Sequence, residues 1–183
     1  MKERKYKEDW VNETRFDDRS GKETRTPVYR GPWFQGLSGR ERKRLLSLAF
    51  FPWLAYAALL VLYFRLNFPG ATVLYVFLPA ALGLFPALYW LLGIRSLMKA
   101  PEKQTRLQKE NSIGRILRSA AGCMISACAA LIGDLVLLLG GGDAAREWPG
   151  MLMLLGAAVL SFGVMNSFRD INRRLSEEGG GRA

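Results

Sequence analysis

The sequence predicts an all-α integral membrane protein: an antiparallel four-helix transmembrane bundle with a short N-terminal cytoplasmic region. Two observations lead to this fold. The chain contains four long stretches that are almost free of charge, and its basic residues lie between and around those stretches. Averages hide this separation, because 50% of the 183 residues are hydrophobic while the formal net charge is +10.

Each uncharged stretch has the length of a membrane span. About 20 helical residues cross a hydrocarbon core of about 30 Å. Soluble helices carry a polar face, and these stretches do not. The predicted spans cover about residues 45–64, 71–94, 119–140 and 150–168.

Three regions follow from this division of the chain. Residues 1–37 form a cytoplasmic N-terminal region, and residues 38–175 form the transmembrane domain. Residues 176–183 contain three consecutive glycines, so we expect a flexible tail.

The distribution of Lys and Arg predicts the orientation. Residues 1–44, 95–118 and 169–183 hold 24 of the 26 basic residues, while the 65–70 and 140–149 connections hold one each. By the positive-inside rule, both termini and the middle loop then lie in the cytoplasm and the protein belongs to the cell membrane.

The positive charge therefore does not require nucleic acid as a partner, because the basic residues flank the spans instead of forming one patch. We expect basic residues next to the spans to meet the anionic headgroups of the lipid bilayer. The residues in this set are Arg40, Arg42, Lys43, Arg44, Arg115 and Arg118.

Local signals predict where the first helices begin, end and bend. Ser38 and Glu41 fit a capping box, so the first helix starts just after Ser38 and continues into the first span. Residues 67–70 contain Asn, Pro and Gly, which favours a tight turn and a helical hairpin. Pro79 and Pro86 predict a curved or kinked second span.

The cytoplasmic segments carry weaker signals. Residues 10–16 and 23–29 flank the turn-forming residues 17–22, which indicates two short strands. A lone two-stranded hairpin is marginal in water, so the segment packs on the middle loop, pairs with a partner or is disordered. Residues 102–109, after the helix-ending Pro101, favour a short surface helix.

Asp134 is the one ionisable residue inside a predicted span. It lies ~22 Å from the cytoplasmic boundary, in the outer third of the membrane, and Arg65 reaches a similar level. An Arg65–Asp134 ion pair that fixes helix register is the interpretation we favour. The functional alternative is a proton or cation site, with Asn166 as a second polar residue of the spans.

Small residues follow one another along the third span at intervals that let helices approach closely. We favour packing within the bundle; a homo-oligomer or docking on a larger membrane partner are the alternatives. Cys123 and Cys128 point to different faces of a helix and are expected to pack as small apolar residues. The helix-packing candidates are Gly122, Ser126, Ala130 and Gly133.

The composition excludes several enzyme classes. The chain has no His and two Cys, so it cannot carry a Ser-His-Asp triad, a Cys-His pair or a His-ligated zinc. We expect no catalytic, cofactor or metal residues, because the spans hold one isolated Asp and no clustered polar groups. The sequence favours a non-enzymatic accessory or interaction subunit of a membrane complex. The alternative is a small oligomeric transporter or channel component that uses Asp134.

One resemblance supports the four-span fold. Residues 74–79 and 91–93, followed by residues 100–103 and the pair Gly114-Arg115, resemble small four-span bacterial membrane proteins that carry no assigned activity. The resemblance covers roughly residues 40–140. It implies a fold and transfers no functional residue.

Overall fold

The chain is mostly helical in a computed structural model that describes residues 8–16, 23–31, 33–35, 37–101 and 103–180. Within these residues, four helices are long and apolar enough to cross a membrane, which confirms that part of the prediction. They are Gly39–Arg65, Leu74–Met98, Arg106–Leu139 and Ala144–Leu175.

The first long helix, α1 (Gly39–Arg65), begins at the predicted capping box. The Ser38 Oγ accepts a hydrogen bond of 3.3 Å from the backbone N–H of Glu41, and the Ser38 N–H donates to the Glu41 carboxylate at 3.0 Å. Hydrogen bonds from Ser38 hold the pKa of Glu41 below its usual value. The buried residues of α1 recur with helical spacing along one face: Leu45, Ala49, Tyr56, Leu60 and Tyr63.

The second span is interrupted at one residue near its prolines, and its curvature stays a prediction. Pro86 has no N–H to donate to the carbonyl of Leu82, and the interruption falls at Gly83. A Cβ on Gly83 would lie 2.6 Å from the Tyr56 hydroxyl, so α1 comes very close to this interruption. The segments of this span are α2 (Pro69–Thr72), α3 (Leu74–Leu82) and α4 (Leu84–Met98).

The third long helix starts earlier than its predicted span. A four-residue helix, α5 (Arg106–Lys109), continues through a π-helical turn at Glu110–Gly114 into α6 (Arg115–Leu139). The short helix expected within residues 102–109 is present over Arg106–Lys109. Those residues include the first turn of a helix that continues into the bundle.

The last helix, α7 (Ala144–Gly180), has 37 residues and spans ~55 Å, well beyond a hydrocarbon core. Its backbone is helical through Gly180, and the flexibility expected of residues 176–183 stays a prediction. Residues 181–183 lie outside the described residues.

Each long helix packs against two others. α6 contacts α7 and the α3–α4 segment, while α1 contacts α4 and α7. The outward faces carry large apolar side chains that a soluble bundle would bury: Phe51, Leu74, Phe85 and Leu139 are 65, 71, 70 and 81% exposed. This arrangement suits a hydrocarbon environment around the bundle.

Two small antiparallel sheets lie at one end of the bundle. β1 (Trp10–Phe16) pairs with β2 (Glu23–Tyr29), with Trp10 opposite Tyr29, at the bounds expected from the sequence. The predicted turn at residues 17–22 lies outside the described residues. β3 (Phe34–Gln35) pairs with β4 (Lys103–Gln104), a contact that the sequence did not indicate.

The hairpin packs on the connection between the second and third spans, one of the three alternatives left open. The backbone N–H of Arg106 donates a 3.2 Å hydrogen bond to the Tyr29 hydroxyl. Rings of Trp10 and Trp33 stand edge-on to Tyr29, with centroids 5.3 and 5.0 Å away. We call β1 to β4, Trp33, residues 99–101 and residues 105–109 the cap.

Lys109 ties the cap to the last helix. Its Nζ lies 4.4 Å from the centroid of the Phe34 ring and donates a 3.2 Å hydrogen bond to the backbone carbonyl of Asn172. Burial, and to a lesser extent the charge of Arg106, lowers the pKa of Lys109. The N-terminal region, the middle connection and the extension of α7 are therefore joined at one side chain.

Candidate functional site

Two carboxylates lie next to each other at the end of the bundle opposite the cap. Asp134 lies on α6, five residues before its end, and Glu147 lies in the first turn of α7. Both residues are fully buried, and Glu147 is near enough for its charge to act on Asp134. The expectation of one isolated Asp is therefore wrong, because a second acid shares its surroundings.

Residues from two further segments complete this site. The Tyr63 hydroxyl, on α1, donates a hydrogen bond of 3.4 Å to Asp134 Oδ2. Gly70, on α2, stands so close that a Cβ there would collide with Asp134 Oδ1. We call Tyr63, Gly70, Asp134 and Glu147 the carboxylate site.

Three oxygens of the site have no hydrogen-bond partner in the described part of the chain: Asp134 Oδ1 and both carboxylate oxygens of Glu147. The backbone N–H of Gly70 acts on Glu147 electrostatically but outside hydrogen-bonding geometry. Burying a carboxylate without partners is costly, so these oxygens call for a proton, a cation or water.

The surroundings of the site are apolar. The rings of Tyr63 and Phe68 lie 5.7 Å apart. At Gly150, a Cβ would lie 3.0 Å from the Phe68 ring and 3.1 Å from the Tyr63 ring. Val76, Ala80, Ala130 and Leu154 complete this buried cluster. Polar oxygens in such a setting interact more strongly with any charge placed beside them.

Arg65 does not pair with Asp134. Arg65 is exposed, and no ion pair joins Arg65 to Asp134 among the residues described. The reason is helical geometry: Arg65 follows Tyr63 by two positions, roughly 200° around the helix, so the two side chains face opposite ways. Tyr63 occupies the inward position, and the expected ion pair is wrong.

Asn166 is also separated from the site. It is exposed and lies 19 positions after Glu147 on the same helix, roughly 28 Å further along the axis. Glu147, and not Asn166, is the polar neighbour of Asp134.

The sequence did contain a signal for Glu147. The buried residues Leu154, Ser161 and Phe168 recur on α7 at intervals of seven, and one further step toward the N terminus reaches Glu147. Residues seven apart lie on nearly the same helix face. Because Glu147 is charged and precedes the uncharged stretch at residues 150–168, the sequence prediction assigns it to a connection and not to a span.

The small residues of α6 face the second span. A Cβ on Gly122 would lie 2.9 Å from Pro86 Cβ, and one on Gly133 would lie 3.0 Å from the Tyr75 carbonyl oxygen. Ala130 is fully buried, and Ser126 Oγ faces Gly83. This face is therefore used for packing inside the bundle. Cys123 is buried and Cys128 exposed, as expected for different helix faces.

The basic residues assigned to headgroups divide into two groups. Arg40, Lys43 and Arg44 are exposed at the start of α1. The other three have protein partners. Arg42 donates to the Ala100 carbonyl at 2.9 Å, Arg115 lies 5.1 Å from the Tyr89 ring centroid, and Arg118 pairs with Glu110 at 2.9 Å.

Comparison with known proteins adds no assignment: no family model, curated protein or solved structure matches the chain. In the described part of the chain, no group of three or more His, Cys, Asp or Glu residues is placed to hold a metal ion. The carboxylate site, with two acids and a phenol, is the arrangement from which a function can be argued.

Proposed function

We propose that this chain is a multi-pass cell-membrane protein whose four helices run antiparallel, with both termini in the cytoplasm. The basic residues support this orientation, since 24 of 26 lie in the segments assigned to the cytoplasm. Contacts at both ends support the alternation of directions. The end of α1 meets the start of α7 at the carboxylate site, and Arg42 near the start of α1 meets Ala100 after the end of α4.

The role we propose is that of a non-enzymatic accessory or interaction subunit, bound to another membrane protein or to a second copy. The cap carries this proposal. It lies outside the uncharged stretches of the chain, and its two tryptophans, Trp10 and Trp33, are 45 and 52% exposed. Exposed tryptophans are enriched where proteins meet partners. The short segments outside the spans favour interaction over catalysis.

Crosslinking in native membranes tests this role. The tagged full-length chain is crosslinked and purified in mild detergent, alongside Trp10→Ala, Trp33→Ala and the control Trp148→Ala, whose residue is 57% exposed on α7. We expect a defined crosslinked species that both cap variants weaken and the control preserves. A monodisperse monomer without such a species contradicts the proposal.

A second role, a small oligomeric transporter or channel component that uses Asp134, is favoured by one observation. Glu147 joins Asp134 in an apolar environment, and paired acids inside membrane helices are typical of proton and ion pathways. Reconstituted vesicles should then show cation or proton flux that Asp134→Asn and Glu147→Gln abolish. Equal flux in the wild type and both variants excludes this role.

A further inference from the structure

We propose that Asp134 and Glu147 bind one divalent metal cation of the Ca²⁺ and Mg²⁺ class at the end of the bundle opposite the cap. This inference does not depend on either role proposed above. It rests on the burial of the two acids, their unpartnered oxygens and the chemistry of the atoms around them.

Charge balance favours a divalent ion. Both acids are fully buried, and no Lys or Arg forms an ion pair with either in the part of the chain that is described. Two carboxylates carry a charge of −2 when ionised. One divalent cation neutralises that charge completely, whereas one proton or one monovalent ion leaves a net negative charge in an apolar cluster.

The donor atoms favour a hard cation. The two carboxylates offer four oxygens, and the Tyr63 hydroxyl lies on the same side, with its oxygen 3.4 Å from Asp134 Oδ2. Oxygen ligands are those that Ca²⁺ and Mg²⁺ prefer, while softer metals select His and Cys. The chain has no His, and Cys123 and Cys128 lie at least six positions before Asp134 on α6.

Protonation alone does not satisfy the site. A protonated carboxyl group still has a hydroxyl that must donate, and it needs an acceptor at hydrogen-bonding distance. Asp134 Oδ1 and both Glu147 oxygens have no partner of either kind among the described residues. A cation contacts several of these oxygens at once, so it accounts for all three.

The backbone also suits a negatively charged Glu147. This residue lies in the first turn of α7, where the helix dipole favours an anion. Gly70 packs directly against Asp134 Oδ1, because a side chain there would collide with that oxygen. The site therefore lies beside a helix end and a connection.

Thermal unfolding of the purified full-length chain in detergent tests this proposal. The melting temperature is measured in EDTA and in CaCl₂ or MgCl₂ at constant ionic strength. We expect a rise of about 5–10 °C when the cation reaches 100 times its dissociation constant. An identical melting temperature in EDTA and in both cations overturns the proposal, whatever the variants do.

Three variants locate the site. Asp134→Asn and Glu147→Gln preserve side-chain shape and should each remove most of the cation-dependent rise. The control Asp170→Asn, which changes an exposed acid 23 positions after Glu147 on α7, should keep the full rise. A rise that persists in both site variants, or disappears in the control, overturns the assignment.

A binding measurement on the wild type is independent of how well the variants fold. Equilibrium dialysis with radioactive Ca²⁺ should give one bound ion per chain, displaced by excess Mg²⁺. No saturable binding contradicts the proposal, and so does Ca²⁺ binding that excess Mg²⁺ leaves unchanged.

Discussion

Tyr63 occupies the position beside Asp134 that the sequence favours for Arg65. A buried carboxylate near the end of a span can be satisfied by a charged partner or by a neutral hydroxyl. Depth along the helix axis favours Arg65, but the direction in which each side chain leaves α1 selects Tyr63, which is fully buried. Distance along a helix axis predicts level, and only the position around the helix predicts contact.

A double-mutant cycle checks this partner assignment. Because Arg65 is exposed and unpaired with Asp134, Arg65→Gln and Asp134→Asn should change the free energy of unfolding additively, within about 0.5 kcal/mol. Tyr63→Phe and Asp134→Asn share a hydrogen bond and should deviate from additivity by about 0.6–1.7 kcal/mol. Chemical denaturation in detergent measures both cycles. Coupling between Arg65 and Asp134 larger than that of Tyr63 contradicts the structure.

Helix α6 shows how small residues determine packing at the scale of an element. A Cβ added to Gly133 would lie 3.0 Å from both the Tyr75 carbonyl oxygen and Val76 Cγ2. The absence of a side chain at Gly133 therefore lets the second span approach α6 closely. The sequence pattern indicated a close approach but not its partner. The structure shows that this face of α6 is covered within the chain.

A glycine comparison tests that packing. Gly133→Ala places a methyl group against backbone and should destabilise the bundle by about 1–3 kcal/mol. The control Gly163→Ala adds a methyl group with no atom within 4 Å, so it should be neutral or slightly stabilising. The melting temperatures of the two variants, measured in the same detergent, test whether only Gly133→Ala destabilises the bundle. Equal destabilisation by both substitutions shows that close packing is not the cause.

The cap depends on Lys109 in a similar way. The Lys109 side chain joins β3, the middle connection and α7, so Lys109→Ala should lower the free energy of unfolding by about 1–3 kcal/mol. It should also increase proteolysis between residues 10 and 35. The exposed Lys43→Ala, next to the same end of the bundle, is the control. Unchanged proteolysis in Lys109→Ala contradicts a joining role.

Much of the whole molecule follows from the sequence, because its strongest signals are local or averaged over long segments. The uncharged stretches locate the helices, Ser38 and Glu41 indicate the start of the first helix, and the turn-forming residues 17–22 indicate the strands β1 and β2 on either side. Contacts between distant segments have no such local signal. The β3–β4 pairing and the approach of Glu147 to Asp134 depend on how helices rotate against each other.

The rotation of each helix about its axis also explains why the predictions for Arg65 and Glu147 were wrong. Arg65 was matched to Asp134 by depth alone. Glu147 was assigned to a connection by charge alone, although its seven-residue spacing to Leu154 places it on the buried face of α7. Combining depth with the position around each helix would have favoured the observed arrangement for both residues.

The proposed orientation in the membrane is tested directly by cysteine accessibility. In a background with Cys123 and Cys128 replaced by Ala, single cysteines are introduced at the exposed positions Asp143 and Lys103. An impermeant maleimide added to intact cells should label Asp143→Cys, and it should label Lys103→Cys only after permeabilisation. Labelling of Lys103→Cys in intact cells, with Asp143→Cys protected, contradicts the orientation and places the carboxylate site on the cytoplasmic side.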